Sequence, residues 1–261
     1  MGKISIGQYY QADSPLHALD PRVKLICTLA YIVILFFADS YYAYALAAGF
    51  LFALILVSTV PFSLVLRGMR AVLMLMLITV LFNLFLTPGE ELVRFWIFRI
   101  TREGAETALR MALRLFLLVL ASSIMTLTTT PNKLTDALER VMRPLKIIRV
   151  PVHEIAMMMS IALRFIPILA EETDKIKKAQ MARGAAFDEG GVIARAKGLI
   201  PLLVPLFVSS FRRASDLALA MEARCYHGGK GRTRLYPLRY TARDALAYFI
   251  FALFLAGMIV L

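Results

Sequence analysis

Two tripeptides in this chain have the composition to grip a partner. Ala182-Arg183-Gly184 and Ala223-Arg224-Cys225 each set one arginine between small residues. A guanidinium keeps its charge, is weakly hydrated and presents a rigid fork of donors, so it suits insertion into a groove that holds a carboxylate. The plainer use of a cation at a helix end is to offset the negative end of the helix dipole. Two occurrences in equivalent places, each followed by an aromatic residue (Phe187, Tyr226), put the docking use level with the plainer one. Catalytic patterns are missing. His17, His153 and His227 have no zinc-ligand spacing, and Cys27 and Cys225 lie too far apart in the chain to suggest a disulfide framework. Gly228-Gly229-Lys230-Gly231-Arg232 is glycine-rich but lacks phosphate-loop spacing and reads as a flexible basic loop. No carboxylate pair falls inside an apolar run, as an intramembrane protease or proton pump requires.

The elements that must position these arginines are unusually apolar. Of 261 residues, 59% are hydrophobic and 18% charged, with a mean hydropathy of +0.70; soluble domains run at about 45–50% and about 25%. That excludes an ordinary cytosolic enzyme and a disordered chain. The first ~24 residues are polar and lack the apolar core of a signal peptide. Within them, His17-Ala18-Leu19-Asp20-Pro21-Arg22 reads as a membrane-proximal turn, with Asp20 capping a helix that begins at Pro21. Five runs have membrane-span character: Val23–Ala38, Tyr41–Val60, Met69–Leu86 after a turn at Pro61 to Gly68, Thr107–Thr128, and Ala242–Leu261. Arg110 and Arg114 lie near one end of the fourth, where they can snorkel. Residues 89–105 are mixed, with Phe95 and Trp96 placed at an interface.

Residues 131–240 follow another pattern. Thr130-Pro131 starts a helix, and Leu134, Leu138, Val141, Met142, Leu145 and Ile148 recur at helical spacing opposite Asp136, Glu139, Arg140, Arg143 and Lys146. This is an amphipathic helix, kinked or shortened at Pro144. A second run, Val152 to Gly184, is apolar from Met157-Met158-Met159 to Ile168 and charged from Glu171 to Lys178. A third, Val192–Tyr226, repeats that design, with Pro201 and Pro205 in its apolar half and a stop at Gly228-Gly229. Three domains follow: 1–128 with four spans, 129–240 as a helical domain outside the bilayer, and 241–261 as the last span. Residues 131–243 hold 20 Lys/Arg against 10 Asp/Glu, whereas 87–106 hold three Arg against four Glu. The positive-inside bias places the N-terminus and the basic domain in the cytoplasm and the C-terminus outside.

With these residues in view, the chain resembles the transmembrane T component of energy-coupling factor transporters. Ala179-Gln180-Met181-Ala182-Arg183-Gly184-Ala185 with Phe187-Asp188 is similar to the first coupling-helix end of that family, and Leu219-Ala220-Met221-Glu222-Ala223-Arg224-Cys225-Tyr226 to the second. Pro15 to Lys24, and Ile200 to Phe207 before Arg212-Arg213-Ala214, agree as well. Cys225 stands where the family often has glycine.

The resemblance implies an all-α polytopic integral membrane protein with about five transmembrane helices and a cytoplasmic coupling domain of three helices. It implies a subunit with no cofactor of its own. ATP and Mg belong to two ATP-binding-cassette ATPases, docked through Ala182, Arg183, Gly184, Ala223, Arg224 and Cys225. A separate membrane S component carrying a vitamin or metal ion is expected to meet Leu134, Leu138, Val141, Met142, Leu145, Met157, Met158 and Met159. No nucleic-acid partner is expected. The rivals are a permease of a conventional ABC transporter, which would offer one short coupling loop, and a secondary transporter, which would show inverted repeats and polar breaks at mid-membrane. The charge bias makes a prediction about sidedness. An impermeant thiol reagent on whole cells should label a cysteine placed at the C-terminus and spare one placed at Gly229; the reverse pattern contradicts the orientation.

Overall fold

The structure is a computed structural model and describes residues 9–95, 98–185, 187, 191, 198–229 and 237–261. Trp96, Asp188, residues 192–197 and Lys230-Gly231-Arg232 therefore lie outside the described residues. The chain divides into two compact units, one within Gly7–Val141 and Tyr236–Leu261, the other within Met142–Leu235.

The first unit contains α1 (Pro15–Ala18), α2 (Pro21–Phe36), α3 (Tyr41–Ser58), α4 (Phe62–Leu86), a hairpin of β1 (Glu91–Phe95) and β2 (Phe98–Thr101), α5 (Arg102–Thr128), α6 (Pro131–Val141) and the last helix, Ala242–Val260. Its core is built on close approach. Ala43, Ala47, Leu51 and Ile55 form a buried ridge of four-residue spacing on α3, facing Leu117, Leu120, Ala121 and Ile124 of α5 in the same cluster. Small residues matter here because lipid offers no hydrophobic drive between helices; contact distance decides. Tyr31, Phe50, Phe251 and Phe254 stack between α2, α3 and the last helix, with Phe50 and Phe254 centroids 4.4 Å apart. The outer faces are apolar: Phe52 and Leu56, Met74 and Phe82, Phe249 and Leu253 are all exposed.

Polar ties close one end of this unit. Asp20 caps α2 through the Arg22 N–H at 2.9 Å, and its carboxylate pairs with the Arg22 guanidinium at 2.6 Å. The Asp20 N–H donates to Asp244 Oδ1 at 2.8 Å, while Asp244 Oδ2 accepts from the Thr241 N–H and hydroxyl. One fully buried carboxylate thus ties the starts of two helices 224 residues apart in sequence. Lys24 Nζ donates to the Thr128 carbonyl at the end of α5 at 2.8 Å, and Arg22 lies 3.9 Å over the Tyr240 ring. At the other end of α2, Arg114 donates to the Ala38 carbonyl at 3.0 Å, holding the α2–α3 turn.

The second unit holds a 3-10 turn (Arg143–Ile148), α7 (Val152–Ala182) and α8 (Ile200–Ala223); the helix Ala242–Val260 is α9. One expectation holds in part, since Pro144 does shorten its helix, and three others are corrected. The amphipathic helix ends at Val141, because Pro144 lacks the N–H that Arg140 would accept and its ring crowds that carbonyl; Met142 leads into the 3-10 turn, so Leu145 and Ile148 do not share a helical face with Leu134. The turn after α3 is Thr59-Val60-Pro61, with Thr59 left-handed at φ 57°, and Gly68 lies inside α4. Within 89–105, read as mixed, Glu91–Phe95 and Phe98–Thr101 pair antiparallel, with Phe95 opposite Phe98 and a bulge between Glu91 and Val93.

By length and composition, α3, α5, α7 and α9 can cross a membrane, and Val72–Leu86 of α4 is a shorter apolar stretch. α7 qualifies through its apolar first half, although its last turns are charged. Asp244→Ala leaves the buried Asp20 N–H without an acceptor and should cost about 1–3 kcal/mol. Asp244→Asn keeps that acceptor and should cost less; thermal unfolding in mild detergent orders the two.

Candidate functional site

The two arginine tripeptides sit at geometrically equivalent helix ends. α7 ends at Ala182, and Arg183 is its C-cap. Gly184, at φ +85°, turns the chain left-handed. The Ala185 N–H then donates to the Gln180 carbonyl at 3.0 Å and the Gly184 N–H to the Met181 carbonyl at 3.0 Å. α8 ends in the same way. Ala223 is its last residue, Arg224 its C-cap and Cys225 the left-handed residue at φ +55°. The Tyr226 N–H donates to the Met221 carbonyl at 3.0 Å and the Cys225 N–H to the Glu222 carbonyl at 2.8 Å. Both ends are Schellman caps, in which backbone donors satisfy carbonyls that a helix otherwise leaves open.

This closure bears on what the arginines do. Some of the last carbonyls are already bonded to backbone, so a side-chain donor is less needed there. Arg183 and Arg224 are exposed, as are Ala182, Gly184, Ala223 and Cys225. Among the described residues neither guanidinium has a hydrogen-bond or ion-pair partner. Glycine enters the left-handed region freely, whereas Cys225 pays for its Cβ there, about 1–2 kcal/mol.

α7 and α8 pack on each other. The Ser209 hydroxyl donates to Glu172 Oε1 at 3.2 Å, and the Arg213 guanidinium pairs with the other oxygen of the same carboxylate. The residues expected to meet an S component separate into two groups. Leu134 and Leu138 are half-buried on α6, which packs against α2, and Val141 ends that helix. Met142, Leu145 and Met157-Met158-Met159 belong to the second unit, where Met158 is the exposed methionine of the three and Leu145 is exposed in the 3-10 turn.

A larger apolar surface was missed. Ile200, Leu203, Val204, Phe207, Val208 and Phe211 are all exposed on α8. They recur at i, i+3, i+4, i+7, i+8 and i+11, which is one continuous helical stripe. The sequence carries that periodicity, interrupted to the eye by Pro201 and Pro205. Pro201 occupies the first turn and Pro205 the helix interior; α7 likewise carries Pro167 inside.

His17 is structural. Its Nε2–H donates to the Tyr10 carbonyl at 3.0 Å, which leaves Nδ1 to accept from the Ser14 hydroxyl at 2.7 Å. Burial, helped by the charge of Lys24, lowers its pKa below the ordinary histidine value against the opposing pull of the Tyr10 carbonyl. It therefore stays neutral at pH 7. Among the described residues no cluster of His, Cys, Asp or Glu is placed to hold a metal ion.

Fold and composition together define a multi-pass helical membrane protein. The family model for the cobalt transport protein CbiQ matches residues 12–235. Three relatives, each called energy-coupling factor transporter transmembrane protein EcfT, align along nearly the whole chain. The Clostridium kluyveri protein is 52% identical over 246 residues, 94% of this chain and 91% of its own length. That of Acidaminococcus fermentans is 50% identical over 243 residues, 93% and 91%. That of Ruminiclostridium cellulolyticum is 48% identical over 258 residues, 99% and 97%. The chain belongs to this family, the transmembrane T components of energy-coupling factor transporters. It is accordingly a non-catalytic energy-coupling subunit, with nucleotide handled by partner ATPases.

The caps make a prediction of their own. Cys225→Gly removes the left-handed strain and should leave the α8 end intact. Gly184→Val forces a β-branched residue to φ +85° and should cost about 1–3 kcal/mol at the α7 end. Hydrogen exchange of the Gly184 and Ala185 amides, or of their counterparts at 225 and 226, reads the difference.

Proposed function

We propose that Arg183 and Arg224 are the anchors by which this subunit carries two ATP-binding-cassette ATPases, one at each coupling-helix end. The observation that carries this reading is the pair of Schellman ends, which satisfy terminal carbonyls from the backbone and leave both arginine side chains exposed. Ala182, Gly184, Ala223 and Cys225 keep the tips slim enough to enter a groove. The N-terminus and the coupling domain face the cytoplasm, where ATP is, and the C-terminus lies outside; the 20-to-10 excess of basic residues in 131–243 supports that orientation.

The S component meets an apolar surface. Its contacts comprise Leu134, Leu138 and Val141 of α6 in the first unit, and Met142, Leu145 and the Met157-Met158-Met159 cluster in the second. Within the second unit, the exposed α8 stripe from Ile200 to Phe211 adds further apolar area. Methionines suit interchangeable partners because they repack at low cost. Cargo specificity belongs to the S component, and ATP binding and hydrolysis drive the coupling helices that this chain supplies.

If the arginines served only the helix dipoles, alanine at either would cost about 0.3–1 kcal/mol of local stability and leave transport nearly intact. If each pairs with a carboxylate in an ATPase groove, truncation should cost about 2–5 kcal/mol of association. A linked ATPase pair shares that load through effective concentration. Arg183→Ala and Arg224→Ala should therefore weaken uptake modestly, and the double variant should abolish it while remaining inserted. Glutamate at either site should be worse than alanine. Co-purification of the ATPases and ATP-driven uptake check all five variants; full ATPase retention by a well-expressed double variant refutes the anchor role.

The division of labour gives a second test. The purified chain alone should neither hydrolyse ATP nor bind a vitamin tightly. ATP hydrolysis by a preparation free of other chains would contradict the subunit reading.

A further inference from the structure

The Glu172 carboxylate is where α7 meets α8. It accepts from Ser209 and pairs with Arg213, so one acidic side chain on α7 engages two consecutive turns of α8. Arg213 holds the Glu172 carboxyl below the ordinary carboxylate range, so it is charged at neutral pH. The pair lies within the charged halves of both helices, beyond the apolar stripe of α8.

Its position along the helices is matched. Glu172 stands eleven residues before Arg183, and Arg213 stands eleven residues before Arg224. At 1.5 Å per residue each arm is about 16 Å long. Eleven residues are also about three full turns at 3.6 per turn. Each docking arginine therefore leaves its helix on nearly the face that carries its own member of the pair.

The direction of the arms follows from chain reach. Gly229 lies against the His153 ring in the first turn of α7. His153 is about 28 Å from Glu172 along that helix. Were α8 parallel to α7, Arg224 would sit about 45 Å from His153. The five residues from Arg224 to Gly229 span at most about 18 Å. α8 thus runs back toward the start of α7, and its arginine lies on the opposite side of the crossing from Arg183. Two antiparallel helices with equal arms, matched caps and an ion pair at the crossing approximate a local two-fold arrangement about that pair.

We infer that Glu172 and Arg213, with Ser209, form a register pin that sets the separation and relative facing of the two docking arginines, up to about 33 Å apart. The inference rests on the docking reading above and extends it to the partner. A rigid two-fold pair of tips suits a pair of ATPases that is itself two-fold related, because each protomer then meets the same surface. Slippage of either helix by one residue moves one tip by about 1.5 Å and turns it by about 100°. Glu172 and Arg213 are positioning residues: they act on the ATPases through Arg183 and Arg224.

The test uses the full chain in lipid nanodiscs with spin labels at Lys178 and Leu219, one on each arm. The distance distribution should be narrow in the parent protein and at least double in width in Glu172→Gln and in Arg213→Gln. The charge-exchanged double variant Glu172→Arg with Arg213→Glu should narrow it again, which a merely space-filling role for these side chains would not produce. In the complex with both ATPases, the singles should lose most of the substrate transported per ATP hydrolysed, and the exchanged pair should recover it. An unchanged distribution in the folded singles, or no recovery in the exchanged pair, overturns the pin. A broadened distribution with fully retained ATPases and coupling upholds the pin and instead refutes the docking role of the tips.

Discussion

A helix lends an arginine at its tip to another protein most freely when its own last carbonyls are bonded without that side chain. That constraint governs the second unit. In α7 and α8 the backbone closes on itself: the N–H groups of Gly184 and Ala185 serve Met181 and Gln180, and those of Cys225 and Tyr226 serve Glu222 and Met221. The requirement is one left-handed residue directly after each arginine. Glycine meets it without strain, and cysteine meets it with strain, because any Cβ is crowded in the left-handed region. The arginine is then a C-cap in position but not in hydrogen bonding, and its charge stays available.

The first unit works under the complementary constraint. Where no water is at hand, backbone groups must be satisfied within the helices, and the helices must approach closely to gain contact. The Ala43–Ala47 ridge and the Phe50–Phe254 stack provide that contact. The buried Asp244 carboxylate and the Asp20–Arg22 pair complete the helix starts, so that charged groups near the end of the unit are consumed internally. The buried charges of the first unit thus serve its caps, whereas the two tip arginines of the second lie exposed.

The legible parts of this architecture were local. Asp20-Pro21 announced a helix start, and Gly184 announced a helix end, because each acts on its own neighbours. Periodicity separated apolar from charged halves in both long helices. Four features resisted reading. Cys225 gives no sign that its backbone is left-handed, since glycine is the usual mark of that conformation. The hairpin at 91–101 and the packing of α6 on α2 arise from contacts that no local pattern encodes. Glu172 and Arg213 are 41 residues apart, and each looks like one more charge in a charged helix; only the crossing of α7 and α8 reveals that they pair, at equal distances from the two ends that matter.

The central claim is that each coupling-helix tip holds an ATPase, and covalent capture at the tips measures it most directly. A photoreactive amino acid at Ala182 or at Ala223 leaves both arginines in place. Illumination of the assembled transporter should join an ATPase chain to this subunit from either position, and a chain labelled at both should capture two. Adducts with lipid or with the S component alone, and no ATPase from either tip, would contradict the account.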